Sequence, residues 1–307
     1  TAGQINFVSN KPTEEFEAGI SASYGTYQTV DIEGFVSGSI SDAVNGRFAF
    51  KSTQSGEGWQ KSLTRDDELG EQDVQAFRGM LNIDLSENAE LLLSALYVDD
   101  QSENSAPTAY SGAEIGIGEF SAPYVALGAY ILPSGANFGE TPPWYSTDNN
   151  EKADWTNSYT SPITGRTFDI RPQRDNQLES YRAKLTWDLG NNLTLTTITA
   201  FDDFQRTESN DWDGGFYNDS SNINTTDLEV FSQEVRLAGE TENTVWIVGG
   251  YYSDDTVDEY YHYFMSDAVF GLGSVTFGVP PFVLAPILEL DTKYEQETTS
   301  KAVFWSP

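Results

Sequence analysis

Few residues in this chain are of a type and spacing that could act on a substrate. There is no cysteine and only one histidine. That histidine stands among rings, in Tyr260-Tyr-His262-Tyr-Phe264. A Ser-His-Asp triad would need it as the base, but its surroundings read as a loop or rim histidine. The pairs Asp99/Asp100, Asp202/Asp203 and Asp254/Asp255 look like glycosidase carboxylates. Neighbours in a strand point to opposite faces, so such pairs cannot converge on one bond. They read instead as solvated charge at strand-to-loop borders. Asp211-Trp-Asp213-Gly-Gly215, with Asn218 and Asp219, has oxygen ligands but lacks the spacing and final Glu of a calcium loop. A polar loop is the simpler reading. No GxxxxGK[ST] occurs, and Gly271-Leu-Gly273 has its next glycine at 278, the wrong spacing for GxGxxG. Catalytic residues, metal ligands and a cofactor are not expected, so the protein is not read as an enzyme.

The remaining candidates are aromatic. Trp144, Tyr145 and Trp155 fall in the longest irregular stretch, and Trp212, Phe216 and Tyr217 in a later one. Exposed rings can stack on a sugar or a flat aromatic ligand and are expensive to leave idle in water. The alternative is that they pack the loops against one another. The apolar run Val269–Leu288 can likewise fold over an opening or touch an apolar ligand. Composition narrows the ligand class. Sixteen Lys and Arg against 48 Asp and Glu give a net charge of −32, which argues against nucleic acid, whose phosphates need clustered cations.

The elements that must carry these loops are strands. From Glu15 to Tyr24, Phe16, Ala18, Ile20, Ala22 and Tyr24 alternate with polar or small residues, so one face meets an apolar medium and the other a polar one. After a bend near Gly25–Thr29, Val30, Ile32, Val36 and Ile40 continue the pattern. Both runs exceed the five or six residues typical of soluble sheets and match the roughly 9–11 that cross a bilayer when tilted. Further strands are expected at Arg47–Thr53, Val74–Leu85, Glu90–Val98, Leu178–Leu189, Leu193–Phe204, Asp227–Ala238, Thr244–Asp254 and Thr298–Phe304. In the turn at 41–46, Asn45-Gly46 can supply positive φ. The uncharged run Ala268–Leu288 holds three glycines and three prolines and cannot be a transmembrane helix.

Connections near 41–46, 86–89, 190–192 and 239–243 are short, while those near 54–73, 99–176, 205–226 and 255–296 are long, and only the first bend, near residue 27, breaks the alternation. Outer-membrane barrels sort their loops this way, with short periplasmic turns and long extracellular loops. The expected fold is therefore all-β, an antiparallel transmembrane β-barrel. Arg47, Lys51, Arg78, Arg182, Lys184, Glu234 and Arg236 would face its lumen. Tyr24, Tyr97, Tyr181 and Trp187 would form aromatic girdles. The rival architecture is a soluble sandwich whose apolar face is its core.

Specific stretches carry a family resemblance. Thr1-Ala-Gly-Gln-Ile-Asn-Phe-Val-Ser-Asn-Lys-Pro12 resembles the end of the plug domain of TonB-dependent outer-membrane receptors. Ser180–Trp187, Leu193–Phe201 and Phe231–Ala238 are similar to barrel strands of that family. The resemblance implies residues 1–12 as the end of the plug and 13–307 as the N-terminal part of a barrel of about twenty-two strands. It implies an internal fragment of a receptor in the outer membrane of a Gram-negative bacterium. Its partners would be outer-membrane lipid, the TonB complex and a small-molecule ligand taken up actively, most often an iron-siderophore. Vitamin B12 or an oligosaccharide are rival cargoes. A passive porin-like channel and a soluble secreted β-rich binding module are rival functions.

Overall fold

The computed structural model describes residues 8–107, 151–161, 163–212, 214, 220–265 and 289–306. Ten long strands form one antiparallel sheet, each paired with the next along the chain. They are β1 (Glu17–Tyr24), β2 (Val30–Ser41), β3 (Val44–Gln54), β6 (Asp73–Ser86), β7 (Ala89–Asp100), β11 (Gln173–Gly190), β12 (Leu193–Asp211), β13 (Ser221–Glu240), β14 (Val245–Phe264) and β15 (Glu289–Ser306). Among the described residues the connections carry five short strands: β4 (Gln60–Ser62) and β5 (Glu68–Leu69) in one, and β8 (Lys152–Ala153), β9 (Ser158–Thr160) and β10 (Thr167–Asp169) in another.

Residues opposite one another in a ladder share a face, so the register can be followed across the sheet. On one face Ala18 meets Val36, then Phe48, Gly79, Ala95, Tyr181, Phe201 and Phe231 in turn. One residue along, Ser37 meets Arg47, Met80, Ser94, Arg182, Ala200, Ser232 and Ser253. The register places all seven residues expected in the lumen on this second face. Among the described residues no second sheet covers this apolar row, as a sandwich would require. Phe16 and Ile20 stand 78% and 79% exposed there, which only a nonaqueous surround makes favourable.

The apolar face is a slanted belt. Its upper edge runs from Tyr24 on β1, through Phe77 on β6 and Phe201 on β12, to Val303 on β15. Measured against the ladder rows, that edge falls by ten residues over nine strand-to-strand steps. A stagger of about 1.1 residues per strand, with about 3.3 Å per residue and 4.8 Å between strands, gives a tilt of about 37°. Barrel strands tilt by roughly 35–45°. The sequence thus encodes the tilt as an offset of its apolar runs.

The short turns occur where expected, with one correction. Asn45 and Gly46 lie inside β3, and the reversal is Asp42-Ala43, closed by Ser41 opposite Val44. Gly46 does not supply positive φ, and a Cβ there would meet only the movable tip of the exposed Ile40 side chain, 2.6 Å away. Positive φ falls at Gly190, Asn191 and Asn192 (80°, 52° and 58°), where Asn tolerates the left-handed region.

Two long connections are shorter than expected. The ladder of β12 and β13 runs on to Asp211 and Ser221, and β15 begins at Glu289. The pairing outlasts the apolar alternation because beyond the belt the outer face no longer has to be apolar residue after residue. His262 and the three acidic pairs therefore sit within or at the end of paired strands, and Trp305 and Ser306 still belong to β15. Val269–Leu288 lies outside the described residues.

Candidate ligand site

The fully buried side chains gather outside the belt, among the connections. Trp155 is 0% exposed and packs with Leu69, Ala106 and Ala153. The Arg65 guanidinium lies 5.3 Å from its ring centroid and pairs with buried Asp154 at 3.3 Å. Below it Arg171 pairs with Asp67 at 3.0 Å and Glu103 at 2.7 Å, and donates to the Glu68 carbonyl. Burial opposes ionisation at Asp67, but hydrogen bonds from Asn157 and Arg171 outweigh it and hold the carboxyl below its usual range. Glu71 is pushed up by burial and by Glu103. Tyr159, Ile170 and Phe264 form a second buried cluster, with Phe168 and Ile223 against it.

The second cluster lies on the outer wall. Ile223, His262 and Phe264 occupy the same face as the belt, higher on β13 and β14, so the β9–β10 hairpin clasps the sheet from outside. His262 is 5% exposed, 3.4 Å from both Glu289 and Asp291, with Phe168 edge-on. Tyr260, whose hydroxyl donates to Asp291, is pushed up to about 12 by burial and that hydrogen bond. Of the two alternatives for Trp155, its full burial with Leu69, Ala106 and Ala153 matches packing among the connections.

Trp212 is placed differently. It follows the last residue of β12, is 59% exposed, and its indole N–H donates to Asn222 Oδ1. Asn222 opposes Tyr263, and Asn224 opposes Tyr261, all on the polar face. The Tyr261 and Tyr263 rings are stacked at 6.1 Å and 10°, and burial followed by the Tyr263 charge pushes the Tyr261 hydroxyl up. A hydrogen bond joins Tyr263 to Ser220. One row lower, Arg206 donates to Thr226 at 2.8 Å and lies 3.7 Å from Glu259. Beside these, Asn176 Oδ1, Arg206 Nε and Asn224 Oδ1 are buried without a hydrogen-bond partner. Rings for stacking, a guanidinium and unspent polar atoms thus share the upper polar face, a donor set suited to a flat, oxygen-rich ligand.

Of the six residues expected at a ligand, Trp144, Tyr145, Phe216 and Tyr217 lie outside the described residues. Asp211, considered for calcium, accepts hydrogen bonds from the backbone of Thr156 and Gly214, and so acts as a turn cap. Sequence reading missed Arg206, Tyr261 and Tyr263 because it assigned their segments to loops. Alternation of Tyr261 and Tyr263 with His262 and Phe264 was the available signal.

No protein-family model matches the sequence, and no curated protein matches it. Solved structures do. The siderophore receptor PiuA from Acinetobacter baumannii aligns over 97% of this chain and 40% of its own, at a TM-score of 0.62 and 13% identity. The ferric yersiniabactin uptake receptor FyuA from Yersinia pestis aligns over 97% and 44%, at 0.57 and 10%. The alcaligin outer-membrane receptor FauA from Bordetella pertussis aligns over 98% and 34%, at 0.51 and 12%. The fold is that of the β-barrel of outer-membrane siderophore receptors, and the chain spans less than half the length of each of these structures.

Proposed function

We propose that this chain is the early barrel region of a TonB-dependent outer-membrane receptor that takes up a ferric siderophore. The observation that carries the reading is the two-faced, tilted ten-stranded sheet with rings and a guanidinium gathered at the upper rim of its polar face. The apolar belt then meets lipid, the polar face lines a lumen, and the β12–β14 tips project into the medium. Residues 1–12 are read as the end of a plug. From Val8 onward the segment lies along the polar face, where Arg78 donates to Ser9 at 2.6 Å and Lys11 pairs with Glu90 at 3.1 Å.

Uptake of radioiron chelates by a siderophore-receptor-deficient Gram-negative host, expressing the full-length protein with and without TonB, tests the reading. TonB-dependent uptake is expected, and Trp212→Ala with Tyr263→Ala should weaken chelate binding about tenfold, since stacked rings contribute about 0.5–1.5 kcal/mol each. Solute entry that persists without TonB would favour a passive channel, and a protein that stays folded and monomeric without detergent would favour a soluble module.

A further inference from the structure

His262 is the only histidine in the chain, and it is buried where the β9–β10 hairpin closes on β14 and β15. Its two ring nitrogens face two different carboxylates. Nε2 lies 3.4 Å from Glu289 Oε2, and Nδ1 lies 3.4 Å from Asp291 Oδ1. Both acids are held in place by tyrosines. The Tyr159 hydroxyl donates to the other oxygen of Glu289 at 3.1 Å, and the Tyr260 hydroxyl donates to Asp291 Oδ1 at 2.6 Å. The remaining walls are apolar: Ile223 opposes His262 from β13, while the Phe168 and Phe264 rings lie 4.9 and 4.2 Å from the imidazole. Two cations stand near. Arg166 lies 4.7 Å from the Phe168 ring centroid, and Lys293, opposite Tyr260 on β15, pairs with Glu295.

A neutral imidazole carries one N–H and one bare lone pair. In this cage the bare nitrogen points its lone pair at a carboxylate oxygen, whichever tautomer is chosen. Nε2 is in fact buried without a hydrogen-bond partner. An imidazolium instead offers an N–H to each acid. We propose that protonation of His262 latches the β9–β10 hairpin to the tips of β14 and β15, making the clasp an acid-tightened strap. Histidine changes charge between pH 5 and 8. Closure holds the charged form between the two acids, so the strap gains stability as pH falls through that range and loses it as pH rises. The other face of β14 carries the stacked Tyr261 and Tyr263, so the latch sets how firmly the wall behind those rings is held. It acts on the outer wall and needs no cargo.

Amide hydrogen exchange of residues 158–169 in the full-length protein in detergent tests the latch, with rates corrected for the intrinsic effect of pH. Opening should be about fivefold rarer at pH 5.5 than at pH 8, the size that one partly buried ion pair gives. H262Q should abolish the difference, because the glutamine amide does not titrate. Equal protection at the two pH values in the parent would overturn the latch, and so would a difference that survives in H262Q. Asp291 is largely exposed, so D291N serves if H262Q fails to fold. It removes one of the two acids and should reduce the difference to about twofold. An undiminished difference overturns the assignment. Asp67 titrates below this window, so the two pH effects are read apart. Because exchange is followed without a chelate, failure here is separable from failure of the TonB-dependent uptake test.

Discussion

Trp155 separates packing from hydrogen bonding. Its ring is fully buried, but its indole N–H has no hydrogen-bond partner. Trp155→Phe should therefore cost under about 1 kcal/mol, whereas Trp155→Ala should cost about 3–5 kcal/mol of clasp stability by opening a cavity. Protease nicking of residues 151–172 reads the difference. The Asp67–Arg171 pair gives the clasp a pH limit. The folded pKa of Asp67 lies below the unfolded value, so its contribution is complete above the ordinary 3.8 and is lost as pH falls through the lower folded value. Trp155 emission should hold steady down to that point and shift red beneath it, and Asp67→Asn should remove this step. None of this was legible in the sequence, because Trp155 meets Arg65 across 90 positions and no local periodicity announces such a contact.

At the scale of the strand, parity does the work. Leu93 and Ser94 are neighbours on β7, one in the belt and one on the polar face. Leu93→Arg should cost about 2–4 kcal/mol in the bilayer, and Ser94→Arg far less. Heat-modifiable gel mobility and folding titrations into vesicles would report both. Equal costs would dissolve the assignment of faces. The belt was legible because Phe16 to Tyr24 and Tyr181 to Trp187 obey a period of two. The upper halves of β12, β13 and β14 were not, because Thr, Asn, Asp and Glu populate both faces there and the pattern vanishes while the backbone ladder persists. The same loss of pattern hid Arg206 and Tyr261 from a search for ligand residues.

For the whole molecule, the ladder offset and the belt together fix a tilt of about 37°. Polarised infrared dichroism of the full-length protein in oriented bilayers should return that angle within the scatter of barrel strands. Strands parallel to the membrane normal would contradict the reading of the belt. The offset also bears on how the sheet is assembled without error. A slip of one residue between neighbours turns every side chain to the wrong face and is rejected at once. A slip of two preserves the faces, so alternation cannot detect it. It does displace a strand's apolar run by about 6.6 Å along its axis, carrying one end out of the hydrocarbon and drawing polar residues in, a mismatch that costs free energy for every ångström. The thickness of the bilayer is thus the gauge that tells the correct pairing from its nearest look-alike.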